Sequence, residues 1–178
     1  FTYVLASDGD LQEPVALGAA SLAGHLGLSK LIVFYDANEA QISGHTNRSD
    51  STNYKKIFDG FNWHVQKING HDHDEIKKSI DSAQEDRRPS IIIGNTIMAK
   101  GTASMEGDHT THGAPFPQEA IDKTKQKLGL PEEKFYFPDE VKEYLQSRYP
   151  QLSSSVSSWN IEKDKLISSK DTSSLIST

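Results

Sequence analysis

The sequence predicts an α/β fold in which flanking helices cover a doubly wound, mostly parallel sheet. Two observations support this fold class. Short apolar strands alternate with segments of helical periodicity along the 178-residue chain, which is the pattern of βαβ units. The first strands are also apolar on both faces, which is typical of parallel sheets covered on both sides.

The first half of the chain supplies two strands and a helix. Thr2–Ser7 predicts a fully buried strand, and Lys30–Tyr35 predicts the next one. The segment 14–27 between them predicts a helix, because Pro14 suits the first turn and Gly27 suits the C-terminus. A long polar segment, 36–53, follows the second strand, and loops of this length are usually functional or mobile.

The second half continues the alternation. Strands are predicted at 63–68 and 89–98, and a helix with N-cap chemistry is predicted at 71–84. A loop rich in Gly and His spans 99–117, and two surface helices follow near 118–128 and 138–147. Serine dominates after Pro150. We therefore expect a domain segment at 1–150 and a serine-rich linker at 151–178.

Composition limits the classes of function. The formal charge of −6 argues against a broad nucleic-acid-binding face, and no apolar run reaches the length of a membrane span. Cysteine is absent, which excludes disulfides and thiolate metal sites and fits a cytoplasmic protein. The chain starts with Phe1 inside an apolar run, so we expect it to be part of a longer polypeptide.

The stretch "LASDGDLQEP" places three carboxylates, Asp8, Asp10 and Glu13, directly after the first strand. They could hold calcium, magnesium with a phosphate ligand, or only water. A calcium EF-hand loop is excluded, because Glu13 stands where that loop needs Gly and Ala19 stands where it needs Glu.

A magnesium-diphosphate site is chemically sensible. Mg²⁺ prefers oxygen ligands and takes several of them from phosphates. Asp8 offers a carboxylate, Gly9 allows close approach of the backbone, and Asn38 follows the second strand 30 positions after Asp8. Asp-Gly and Asn are also common turn residues. The residues alone therefore fit either a magnesium-diphosphate site or a turn that binds no ligand. No dinucleotide G-x-G-x-x-G and no P-loop motif is present.

The residues resemble those of the transketolase family. "SDGDLQE" followed by "FYDAN" resembles the thiamine diphosphate motif, and "HTTHGAP" (109–115) is similar to an element that distinguishes transketolases from other thiamine diphosphate enzymes. The resemblance covers about residues 1–150. It implies ketol transfer between sugar phosphates in the pentose phosphate pathway, thiamine diphosphate with Mg²⁺ (or Ca²⁺), and a homodimer.

The resemblance also implies roles for individual residues. Asp8, Asn38 and the backbone carbonyl of Ala40 would bind Mg²⁺, and the N–H of Gly9 would touch the diphosphate. Ile42 would pack against the cofactor. Two residues are implied in catalysis: His112 would hydrogen-bond substrate oxygens above the thiazolium, and Glu13 would join a glutamate network at the dimer interface.

Three positions depart from the family pattern: Ser7 and Pro14 replace glycines, and Gly18 replaces a glutamate of the interface network. The resemblance also implies that other contacts to the cofactor and substrate lie outside these 178 residues, so we expect the segment alone to be inactive. Two alternatives remain: the N-terminal subunit of a split transketolase, and a non-catalytic transketolase-like structural or interaction module.

Two histidine-containing stretches have plainer explanations. His109 and His112 have the spacing of helical metal ligands, but the glycines around them argue against a helix and a zinc site. The stretch "GHDHDE" (70–75) predicts helix capping rather than a metal cluster.

Overall fold

The computed structural model describes residues 1–168, within which six strands form two sheets. The strands are β1 (Thr2–Ser7), β2 (Leu31–Ala37), β3 (Ala40–Gln41), β4 (Gly44–His45), β5 (His64–Asn69) and β6 (Ser90–Asn95). The central sheet has the order β1-β2-β6-β5 with every neighbouring pair parallel, and β3 and β4 form a small antiparallel hairpin. The predicted mostly parallel sheet is confirmed.

Helices connect these strands. They are α1 (Asp8–Gln12), α2 (Pro14–Leu26), α3 (Tyr54–Gly60), α4 (His73–Glu85), α5 (Gln118–Leu128) and α6 (Asp139–Ser168). The chain divides into two compact units, Phe1–Leu130 and Pro131–Thr178, and the sheet belongs to the first. None of the helices described between residues 1 and 168 has the length and apolar character needed to cross a membrane.

Both faces of the central sheet carry a buried core, as the doubly wound fold requires. Successive strand residues point to opposite faces, so Val33 packs in a cluster with Phe58 and Trp63, whereas Ile32 packs in a second cluster with Ala83 of α4. Helices α2 and α3 contribute several residues of the first cluster. This alternation explains why the central strands are apolar throughout.

The burial predicted for β1 is wrong. Its bounds are as expected, but Tyr3 and Leu5 are 55% and 85% exposed. The reason is that β1 lies at the edge of the described sheet and pairs only with β2 on one side. The apolar character of a strand does not reveal which neighbours pair with it.

Two helices, α1 and α3, lie where the sequence predicts neither a strand nor a helix. Helix α1 begins directly after β1, where Ser7 donates its N–H and its hydroxyl to the Asp10 carboxylate at 2.8 and 2.7 Å. Helix α3 is capped by Asn53, whose side chain accepts the N–H of Lys56 at 3.0 Å. Both are capping arrangements that polar loop composition conceals.

The helix predicted near 138–147 continues to Ser168 as α6, through Pro150. The serine-rich residues 151–168 are therefore helical rather than irregular. Their apolar residues recur every three to four positions, as Leu152, Val156 and Trp159 do, and this helical period outweighs the serine composition. The rest of the proposed linker, 169–178, lies outside the described residues.

Candidate functional site: a polar edge at the ends of three strands

The candidate site lies where β1, β2 and β6 end side by side. In the register of the sheet, Ser7 pairs with Asp36, and Asp36 pairs in turn with Gly94. The residues that follow each strand therefore emerge at one edge, which is where open α/β sheets bind ligands. Asp8 follows β1, Asn38 follows β2 and Thr96 follows β6.

Asp8 is a buried carboxylate held by two donors. The residue is only 5% exposed, and its Oδ1 accepts a hydrogen bond from the hydroxyl of Tyr35 at 2.5 Å. Its Oδ2 accepts the N–H of Glu39 at 3.1 Å. Burial raises the pKa of Asp8 above its ordinary value of 3.8, against the effect of these hydrogen bonds, and the charge of Asp36 raises it further.

Asn38 is held through both ends of its amide. Its Nδ2 donates to Asp36 Oδ2 at 3.1 Å, and its Oδ1 accepts the N–H of Ala40 at 2.9 Å. Glu39, which lies between Asn38 and Ala40 in the chain, has a left-handed backbone with φ of 59°. This sharp turn directs the N–H groups of Glu39 and Ala40 toward the oxygens of Asp8 and Asn38, so the two predicted metal ligands contact adjacent peptide groups.

A cavity of about 220 Å³ opens beside this turn. Five predicted site residues line it, coming from three segments distant in sequence: Gly9, Asn38, Ala40, Ile42 and His112. Ile42 is 84% exposed, so its side chain is free to contact a ligand. The structure thus gathers most of the predicted site around one opening.

Asp8 does not line this cavity, although it is the first of the predicted metal ligands. It lines a neighbouring polar pocket of about 430 Å³, together with Tyr35 and Tyr54. Glu39, whose N–H Asp8 accepts, lines the larger pocket as well, whereas its chain neighbours Asn38 and Ala40 line the smaller cavity. Asp8 is thus joined through Glu39 to the turn that carries Asn38 and Ala40.

His112 is exposed and follows a short 3₁₀ turn at His109–Thr111. Asp108 begins that turn by accepting the N–H of Thr110 at 2.9 Å. The His109 ring instead lies 5.4 Å from the ring of His45, centroid to centroid. Among residues 1–168, no group of three or more His, Asp and Glu side chains could hold a metal.

The other two carboxylates of the opening stretch have different surroundings. Asp10 accepts two hydrogen bonds from Ser7, which hold its pKa below the ordinary value. It therefore caps α1. Glu13 is exposed and connects α1 to α2, and nothing lies within 4 Å of a Cβ built at Gly18. The structure does not bring Glu13 to the cavity lined by His112.

Sequence reasoning missed Tyr35 and Asp36, which hold the predicted ligands Asp8 and Asn38. It also missed Thr96, which holds Asp36. Thr96 donates its hydroxyl to Asp36 Oδ1. The sequence signal that could have found the first two is the polar pair Tyr35-Asp36 at the end of an otherwise apolar strand. Buried polar groups need hydrogen-bond partners, so such a pair predicts polar contacts at the strand end. Nothing in the sequence around Thr96 singles it out.

Comparison with known proteins decides the family. A family model described as the transketolase thiamine diphosphate binding domain matches residues 1–173. This chain belongs to the transketolase family. A transketolase of Sinorhizobium medicae is 44% identical over 142 residues, which is 80% of this chain and 20% of that protein. Transketolase 2 of Vibrio parahaemolyticus is 42% identical, over 79% of this chain and 21% of its own length.

Solved transketolase structures share the fold. The Campylobacter jejuni enzyme superposes with a TM-score of 0.86 at 36% identity, covering 98% of this chain and 27% of that one. The Pichia stipitis transketolase in complex with sedoheptulose 7-phosphate gives 0.84 at 32% identity, covering 90% and 24%. This transketolase-family chain spans about a fifth of the curated relatives it matches.

Proposed function

We propose that this chain supplies the magnesium- and diphosphate-binding part of a transketolase active site. The complete enzyme would transfer a two-carbon ketol unit from a ketose phosphate to an aldose phosphate. The observation that carries the proposal is the single cavity lined by Gly9, Asn38, Ala40, Ile42 and His112, which come from three separate segments. The family resemblance implies that all five residues contact the same cofactor, thiamine diphosphate, or its Mg²⁺. Their position around one cavity supports this cofactor-binding role.

The donor set fits a magnesium ion. Asp8 offers a carboxylate, Asn38 offers an amide oxygen, and Ala40 offers a backbone carbonyl. These are hard oxygen ligands, few enough to leave positions for phosphate oxygens, and Ca²⁺ accepts the same donors. The buried charge of Asp8, with Asp36 nearby, also favours a cation.

The remaining residues fit the organic part of the cofactor. Thiamine diphosphate, when bound, supplies the carbanion chemistry that ketol transfer requires. A Cβ at Gly9 would meet nothing within 4 Å, so the backbone there is open to approach. Ile42 is largely exposed, and covering such a side chain contributes about 1.5–3 kcal/mol. That gain would help to hold an aromatic ligand.

His112 is suited to orient substrate oxygens. Its imidazole can donate from one ring nitrogen and accept at the other, and the exposed loop brings it to the rim of the cavity. Glu13 is exposed in this chain, and we propose that it is buried at a subunit interface in a homodimer. A cytoplasmic location in the pentose phosphate pathway is part of the same proposal, as is the linker role of 151–178.

Two alternatives stay within the family. The chain could be the N-terminal subunit of a split transketolase, in which a second chain completes the active site. It could instead be a non-catalytic module, which is favoured by the open space around Gly18 in place of a glutamate. A non-catalytic module has no need for a metal or cofactor. A measurement of cofactor binding therefore distinguishes it from a complete or a split transketolase.

The test begins with the intact mass of the natively purified protein. A mass near 19.7 kDa favours the split enzyme, in which case the 178-residue chain alone shows no ketol transfer and activity requires its partner. The second step titrates thiamine diphosphate into the natural protein at fixed Mg²⁺. Asn38→Ala should weaken binding at least about tenfold, whereas Asn160→Ala, on α6, should not. Equal affinities would refute the site assignment. No binding by the unaltered protein, assayed together with its partner chain where the mass indicates a split enzyme, would favour the module.

A further inference from the structure

Two consecutive residues at the end of β2 hold the two side chains that we assign to the metal. Tyr35 donates its hydroxyl to Asp8, and Asp36 accepts the amide N–H of Asn38. Neither is a proposed ligand. Their positions matter because a ligand that is already oriented loses less freedom when the metal binds.

Tyr35 is well placed to fix Asp8. It is 5% exposed, and its ring packs edge-on against Tyr54 with centroids 5.6 Å apart, so the phenol has little freedom. Its hydroxyl lies 2.5 Å from Asp8 Oδ1. Asp8 is thus held at Oδ1 by a rigid side chain and at Oδ2 by the N–H of Glu39 at 3.1 Å, which leaves little room for another rotamer.

Asp36 decides which way the amide of Asn38 faces. A carboxylate only accepts hydrogen bonds, so the NH₂ of Asn38 must face Asp36 and the oxygen must face the other way. The oxygen then lies toward Ala40, whose N–H it accepts at 2.9 Å, beside the cavity. Thr96 completes the arrangement by donating its hydroxyl to the other oxygen of Asp36.

We propose that Tyr35 and Asp36 are positioning residues that present the oxygens of Asp8 and Asn38 to the metal before it binds. This inference rests on the proposed function, because it presupposes that those oxygens are ligands. Neighbouring strand residues point to opposite faces of a sheet, so the two ligands are held from different sides. The strand itself thereby sets the spacing between them.

The chain offers a matched control for both positions. Tyr54 is a second buried tyrosine whose hydroxyl donates to a carboxylate, Asp50, at 2.8 Å. Neither of these two residues contacts Asp8 or Asn38 through a described hydrogen bond. Tyr54→Phe and Asp50→Asn therefore make the same chemical changes as Tyr35→Phe and Asp36→Asn without touching a proposed ligand.

The experiment measures Mn²⁺ affinity by electron paramagnetic resonance in the natural protein, saturated with thiamine diphosphate. Tyr35→Phe and Asp36→Asn should each weaken Mn²⁺ binding by about 10- to 100-fold, as loss of residues that orient ligands typically does. The two control variants should stay within about twofold. Urea unfolding of the metal-free variants shows whether a weaker Mn²⁺ affinity comes from a less stable fold. A merely structural role would lower the urea midpoint of unfolding and leave the Mn²⁺ affinity of the folded protein close to that of the controls.

The outcomes separate this inference from the proposed function. If Asn38→Ala loses Mn²⁺ but Tyr35→Phe and Asp36→Asn bind like their controls, positioning is refuted and the ligand assignment stands. If the unaltered protein binds no Mn²⁺ with thiamine diphosphate, both are refuted. If Asp36→Asn does not fold, Thr96→Val tests the same contact: a loss of a few-fold supports the inference, and unchanged affinity overturns it.

Discussion

Gly24 lies where helix α2 crosses the segment that leads into β5, and its replacement by alanine is the sharpest test of this packing. A Cβ built at Gly24 would lie 1.8 Å from the carbonyl oxygen of Phe61 and 3.2 Å from Cδ1 of Trp63. Neither neighbour can move easily. The first is backbone, and Trp63 is 3% exposed with its Nε1 donating to the carbonyl of Ala20 at 2.8 Å.

The expected loss follows from two opposing contributions. Overpacking a core typically costs about 1–3 kcal/mol, and a clash with backbone belongs at the upper end. Alanine is favoured over glycine inside a helix by about 1 kcal/mol, which offsets part of it. We therefore expect Gly24→Ala to lower the free energy of unfolding by about 2 kcal/mol. Gly18→Ala, in the same helix with nothing within 4 Å, should raise it by up to about 1 kcal/mol.

The assay is urea unfolding followed by circular dichroism, with the natural protein and both variants at equal concentration. The two alanine variants should differ by about 3 kcal/mol, because they share the same gain in helix propensity and differ in the clash. A difference below about 0.5 kcal/mol, the usual size of a surface effect, would refute the packing of α2 against Phe61 and Trp63.

The other predictions concern charge, backbone and the cavity. Arg88 holds the pKa of Asp86 at about 2; this lowered pKa stabilises the fold above pH 3.8, and the gain is lost as the pH falls toward 2. Arg88→Ala should therefore cost about 1 kcal/mol at pH 7, given that Arg88 is 44% exposed, and almost nothing at pH 2 in urea titrations. Glu39, at φ 59°, should tolerate Gly within about 0.5 kcal/mol but lose about 1–2 kcal/mol as Val in thermal unfolding. In the complete enzyme that we propose, His112→Ala should lower ketol transfer by about 100-fold with an unchanged melting temperature.

The sequence predicts the central elements of the fold well because their signals are local. Helix α2 begins at Pro14 and ends before Gly27, which has φ of 62° in the structure. Helix α4 is capped by Asp72, which accepts the N–H groups of Asp74 and Glu75 at 2.9 and 3.0 Å. In each case the residues that start or stop the helix stand at its ends.

Exposure and long-range pairing are not local, and there the sequence fails. Leu5 belongs to an apolar run like that of β2, yet it is 85% exposed because β1 pairs on one side only. The same limit applies to the site. Asn38 could be predicted from its place after a strand, but the partner of its amide depends on side-chain geometry at the end of β2, and the contact between Asp36 and Thr96 depends on the pairing of β2 with β6.

The three carboxylates of the opening stretch show how backbone geometry separates residues of similar chemistry. Asp10 sits three positions after Ser7, so it reaches back to cap the first turn of α1. Glu13 falls between two helices and is exposed. Asp8 alone turns inward, where burial raises its pKa while Tyr35 and a backbone N–H still bind its oxygens. A buried carboxylate beside a second one, Asp36, is costly for the metal-free chain. A divalent cation would offset that cost, which is the electrostatic reason for the metal that we propose at this edge.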